Sequence, residues 1–139
     1  MRKPILVLLA GAAVVAAVLA VTSSGAETAR EVVLDVHGMT FYADGTDAPN
    51  PTIHARPGEL IRLTLRNSDA GFVHDFAVSD LGVSVQPLQT GATASVVFRA
   101  PRTPGTYEYV CQPHARMMRG RFEVGGDFAD TTGAHHADR

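Results

Sequence analysis

From Glu31 onward the chain alternates apolar and polar side chains in short runs, the period-two pattern of half-buried strands. Val32, Leu34 and Val36 alternate with Val33 and Asp35, and Ile61, Leu63 and Leu65 alternate with Arg62, Thr64 and Arg66. Phe72, His74, Phe76 and Val78 would share one face of the next run. Val96 and Phe98 share a face, as do Tyr107, Tyr109 and Cys111, and Phe122 with Val124 closes the series. Helical periodicity is not sustained beyond about one turn. Pro57-Gly58 precedes the run at 60–66 and Pro104-Gly105 precedes the run at 106–111, both strong turn signals. Residues 41–50, with Gly45 and Pro49, predict a loop. Short strands at this spacing, joined by Pro/Gly turns, predict an all-β protein, a Greek-key β-sandwich.

The two ends read differently. Met1-Arg2-Lys3-Pro4 is positively charged, residues 5–21 are apolar without a charge, and Ser24-Gly25-Ala26 is small enough for cleavage before Glu27. That predicts a signal peptide, or else an uncleaved N-terminal membrane anchor, over residues 1–26. Both place the folded part in the periplasm or on the extracytoplasmic face of the membrane. The absence of a cysteine close behind the apolar run argues against a bacterial lipoprotein. Residues 27–125 then form one domain of about 100 residues, enough for an ordinary core. Residues 126–139 turn small and polar and predict a flexible tail, with His135 and His136 solvated. The chain of 139 residues carries a formal net charge of −2, so nothing in its charge calls for nucleic acid.

Composition changes the picture at one point: there is a single cysteine. An exported chain with one cysteine cannot close an internal disulfide, and a free thiolate in an oxidising compartment is a liability unless something occupies it. Cys111 lies in Val110-Cys111-Gln112-Pro113-His114-Ala115-Arg116-Met117-Met118-Arg119-Gly120, beside a histidine and two thioethers. A strand end followed by a proline-stiffened turn holds Cys111 and His114 at a fixed spacing. A second imidazole must come from elsewhere. His74 is preferred, with His37 and His54 as alternatives expected at the surface. Two imidazoles, one thiolate and one weak axial thioether suit copper cycling between oxidation states. The competing enzyme reading makes Cys111 a nucleophile and His114 its base, but no orienting acid or oxyanion donor accompanies them.

The chain resembles a cupredoxin, a small blue-copper protein of the amicyanin/plastocyanin kind, from about Glu31 to Val124. The Cys-x-x-His…Met loop carries most of that resemblance, and Asn67-Ser68-Asp69 ahead of His74 resembles the strand end that precedes the first histidine. Amicyanin-like loops read His-x-x-Met-Arg-Gly, whereas this chain has one residue more, so either Met117 or Met118 fits. Met118 is preferred, because Gly120 begins the last strand and sets the register from that side. The resemblance implies one copper ion held by His74, Cys111, His114 and Met118. It implies a non-enzymatic carrier of single electrons, with a copper carrier or reservoir as the alternative. It also implies a redox partner protein docking near His114, through an apolar patch that could include Pro113, Ala115, Met117 and Pro87. Arg116, Arg119 and Arg121 either steer an acidic partner or form an ordinary solvated charge run at a strand end. A multicopper oxidase is excluded by size and by the lack of His-x-His pairs. A dinuclear copper site would need a second cysteine.

Overall fold

A computed structural model of the protein describes residues 27–126, so the predicted leader or anchor (1–26) and the tail beyond Gly126 lie outside the described residues. The strands are β1 (Arg30–His37), β2 (Thr40–Ala43), β3 (Ile53–Ala55), β4 (Leu60–Asn67), β5 (His74–Val78), β6 (Val83–Leu88), β7 (Thr93–Arg99), β8 (Gly105–Val110) and β9 (Arg119–Val124). One sheet has the order β2-β1-β4-β7 and the other β3-β9-β8-β5-β6, so the fold is the expected all-β sandwich. No helix among the described residues is long and apolar enough to cross a membrane.

The alternation seen in sequence sets which side chains face inward. In β1 and β4, paired in parallel with Leu34 opposite Leu65, the apolar set Leu34, Val36, Ile61, Leu63 and Leu65 is fully buried. Their polar neighbours stay outside, where Arg62 meets Glu31 and Arg66 meets Asp35. The facing sheet contributes Phe76, Val78, Tyr109 and Phe122. Three rings form the centre: Phe76 stacks on Tyr109 with centroids 5.2 Å apart, and Phe41 meets both edge-on. Such pairs contribute about 0.5–1.5 kcal/mol each beyond the area they bury. The Tyr109 hydroxyl donates to the Pro51 carbonyl at 2.6 Å, so the one polar atom of this cluster is satisfied. Across the β8–β9 pair, Gly120 lies under the Tyr109 ring, where a Cβ would stand 2.3 Å from ring atoms.

Two expectations need correction. Residues 41–50 are not all loop: Phe41 enters the core, which holds residues 40–43 against β1 as β2, and Tyr42 bridges to Pro49. Phe72 does not share a buried face with His74; it precedes β5 and is 48% exposed. All five β5 residues are buried instead, because β5 runs between β6 and β8 and the turn at Gln112–His114 packs against it. Pro87 belongs to β6, at the sheet edge, where its missing N–H costs no ladder bond.

Candidate metal centre

The site forms where the ends of β4, β5 and β8 meet the 112–118 turn. Asn67 closes β4, and its buried amide donates to the carbonyls of Phe72 and Leu88, each at 2.8 Å, while its oxygen accepts from the Asp69 N–H at 2.9 Å. That ties the 68–73 segment down and brings His74 in at the start of β5. Cys111 follows β8 directly, and its N–H donates to the Met118 carbonyl at 3.0 Å. Its carbonyl accepts from the His114 N–H, and the His114 carbonyl accepts from the N–H groups of both Met117 and Met118, all at 3.0 Å. The loop is therefore a closed, hydrogen-bonded turn, stiffened by Pro113 within its 3₁₀ segment. Two outside contacts anchor it. Asp75 accepts from the Gln112 N–H at 2.6 Å, and the Asn50 side chain donates to the Met117 carbonyl at 3.2 Å.

These restraints converge three donor atoms. Cys111 Sγ lies 3.6 Å from His74 Nδ1 and 3.5 Å from His114 Nδ1, and all three lie within 4.8 Å of one another. His74 and Cys111 are fully buried, and His114 is partly exposed. Among the described residues this is the one histidine/cysteine/carboxylate group arranged to share a metal ion. The two other candidate histidines stay apart from it. His37 is exposed and stacks on Tyr42 at 4.1 Å, and His54 is exposed on β3 with Glu123 3.5 Å away. Of the two methionines, Met118 is fully buried while Met117 is 56% exposed.

Burial dominates the electrostatics. It pushes the Cys111 thiol above its usual range. It also pushes the His74 imidazolium below its usual range, against the opposing pull of Asp69. The neutral forms are thus favoured without metal, and a bound cation has to displace the thiol proton. A soft sulfur and two imidazoles around a shared gap fit a first-row ion that prefers thiolate and nitrogen, and copper above hard oxygen-seeking cations.

Around the exposed edge of His114 the surface is apolar. Phe72 meets its ring edge-on at 6.2 Å, and a shallow concavity runs along Pro113, His114, Ala115, Arg116 and Met117. The arginine cluster is less free than its sequence suggests. Arg119 donates to the Ala115 carbonyl and lies 3.5 Å from Glu108, and Arg121 lies 3.3 Å from Glu123. Sequence reasoning assigned no role to Asn50, Asp69 or Asp75. Their partners lie far off in the chain, and only the position of Asp69 just beyond a strand end hinted at a structural use.

Sandwich and donor set together define a small all-β domain built around one buried soft-ligand metal site. The chain belongs to the cupredoxin-like domain family, whose model matches residues 10–124. Rusticyanin of Acidithiobacillus ferrooxidans is 29% identical over 92 residues, covering 55% of this chain and 59% of rusticyanin. Among solved structures, dithionite-reduced auracyanin from Roseiflexus castenholzii is similar with a TM-score of 0.57 at 17% identity, over 70% of this chain and 99% of that one. Reduced rusticyanin gives 0.54 at 24% identity, over 68% and 78% of the two chains. A multicopper oxidase from Aquifex aeolicus gives 0.57 at 14% identity, over 69% of this chain but 26% of the oxidase. At these identities the structures show a shared fold. Copper is the cofactor that this family and this donor set define.

Proposed function

We propose that the protein binds one copper ion through His74, Cys111 and His114, with Met118 as a weak axial donor, and carries single electrons between redox partners. The convergence of the three donor atoms on a hydrogen-bonded frame carries this reading. Copper, when bound, supplies the one-electron couple. The chain's part is to keep the donors fixed through that change. His74 and Cys111 are held without access to water, and the closed 111–118 turn holds His114 in place. His114 alone of the three reaches the surface, and its ring edge offers the exit for an electron. The surrounding Phe72, Pro113, Ala115 and Met117 are suited to a partner surface that excludes water on docking. A copper carrier would be better served by ligands that open easily. The charged and apolar leader at residues 1–26 supports placement outside the cytoplasm, with the segment at 5–21 as cleaved peptide or tether.

The visible spectrum of copper-loaded, oxidised protein tests the reading. An intense band toward the red end, from thiolate-to-copper charge transfer, is expected. A colourless protein after stoichiometric loading would overturn it. Fast, reversible electron exchange with retention of copper against a competing chelator is expected of an electron carrier. Rapid loss of copper to the chelator would favour the carrier or reservoir.

A further inference from the structure

We infer that Asp69 is the positioning residue of this centre: its carboxylate fixes the tautomer and orientation of the buried His74 ring, so that Nδ1 faces Cys111 and His114. The ring has two nitrogens and they face different groups. Nδ1 lies 3.6 Å from Cys111 Sγ, and Nε2 lies 3.1 Å from Asp69 Oδ2. An ionised carboxylate only accepts hydrogen bonds, so the proton between the two residues sits on Nε2 and leaves the Nδ1 lone pair free for a metal. His74 is fully buried, and Asp69 is the hydrogen-bond partner that its Nε2 has.

Asp69 is itself held more firmly than a loop carboxylate needs to be. Its Oδ1 accepts from the Gly38 N–H at 2.9 Å and its Oδ2 from the Met39 N–H at 2.8 Å. Gly38 and Met39 both lie in the left-handed region, at φ 58° and 59°, which turns two successive N–H groups onto one side chain. Met39 has a Cβ and is disfavoured there, so the surrounding bonds maintain a conformation that the residue alone would avoid. On its main chain, Asp69 donates its N–H to the Asn67 side chain and its carbonyl accepts from the Thr90 hydroxyl at 2.7 Å. A side chain restrained at both oxygens and a main chain restrained at both ends leave the His74 ring little freedom to turn. With copper bound, the same carboxylate strengthens the imidazole as a donor and favours the more highly charged oxidation state. That last step rests on the proposed copper function; the tautomer does not.

Nitrogen-15 NMR of the metal-free full-length protein at neutral pH reads the tautomer directly. The wild type is expected to show His74 with its proton on Nε2 alone. Asp69→Ala is expected to give a mixture. Asp69→Asn keeps most of the volume but places an N–H₂ donor in the cluster, and should shift the ring toward the Nδ1-protonated form. On copper loading, Asp69→Asn is expected to lower Cu(II) affinity about 10–100-fold and Cu(I) affinity less, so that the reduction potential rises. Gly82→Ala is the control for a general loss of stability. It closes the 79–82 turn, away from Asp69 and His74, and its added Cβ meets nothing within 4 Å but is strained at φ 63°, so it should lower the melting temperature and leave tautomer and potential unchanged. An unchanged His74 tautomer in both folded Asp69 variants would overturn the inference, as would Gly82→Ala reproducing their shift. If Asp69→Ala fails to fold, Asp69→Asn decides. The predicted tautomers without any copper uptake would uphold Asp69 and bring down the copper function instead.

Discussion

Replacing Met118 separates what its side chain contributes to packing from what its sulfur contributes to the metal. The side chain is fully buried beneath the Cys111–His114 turn and belongs to the same core cluster as Phe41, Tyr109 and Phe122. Truncation to alanine removes three heavy atoms beyond Cβ from a closed position, which costs about 2–5 kcal/mol. For a domain of this size each kcal/mol moves the melting temperature by about 4–8 °C, so Met118→Ala should melt at least about 8 °C lower without metal. Met118→Leu nearly conserves volume and should cost under about 1.5 kcal/mol. Met117, at 56% exposure, should tolerate leucine within about 0.5 kcal/mol. The functional effects follow a different order. The axial bond is long and weak, so its loss should change the potential more than the affinity. Met118→Leu is therefore expected to keep its copper and to raise the reduction potential clearly, while Met117→Leu leaves it nearly unchanged. Thermal melts of the metal-free variants, followed by spectroelectrochemistry of the loaded ones, give both orders. A larger potential shift for Met117→Leu would move the axial role to the exposed side chain. No shift for either would remove sulfur from the site and leave Met118 as a packing residue.

Cys111→Ser should leave a folded sandwich and abolish the red-end absorption, because a hydroxyl supplies no soft thiolate; circular dichroism and the visible spectrum decide, and a retained band would refute the ligand assignment. Burial holds His74 below its usual value of 6.5, so its contribution to metal-free stability is complete above that pH and lost as pH falls through the folded-state value. Asp69 also sits below its ordinary range. Burial opposes this, but the N–H groups of Met39 and Gly38 and the His74 contact outweigh it, so its contribution is lost at still lower pH. The unfolding free energy of metal-free protein, from denaturant melts, should thus fall between pH 7.5 and 5, by at most about 1.4 kcal/mol per pH unit for one proton, and a flat profile would contradict the burial argument. Gly120→Ala should lower stability by about 1–3 kcal/mol, because the new methyl meets the rigid Tyr109 ring and not a flexible chain end, and an unchanged melting temperature would show that the ring can shift freely. Arg116→Glu should slow association with an acidic partner at low ionic strength more than Arg119→Glu or Arg121→Glu, whose cations already lie near Glu108 and Glu123; equal effects would make the cluster uniform after all.

The strands legible in the sequence are those in which one face is buried and the other wet. β1 and β4 announce themselves because Leu34, Val36, Ile61, Leu63 and Leu65 are fully buried while the residues between them, all but Val33 charged or hydroxyl-bearing, keep contact with solvent. β5 hides the same information, since all of its residues are buried and a two-sided strand has no alternation to read. β2 and β3 are too short for a period to show, at four and three residues. They exist because β1 and β9 supply partners for them.

The chain's local order determined the Cys111–His114 turn. Three residues of separation, a proline between the ligands and a strand end before them set the spacing of both donors, and Asp75 and Asn50 then anchor the turn. Everything that completes the site came from distant segments, and the tertiary structure alone decided it. Sheet order brings His74 to Cys111 and leaves His37 and His54 on the outside. Turn closure buries Met118 and exposes Met117, although the two are neighbours of identical chemistry. The 38–39 turn and Asn67 aim Asp69 at the back of the His74 ring. A sequence records which side chains are available and which neighbours alternate. Which of them share a cavity depends on register and packing between strands far apart in the chain, where hydrogen-bond geometry and burial leave one arrangement open.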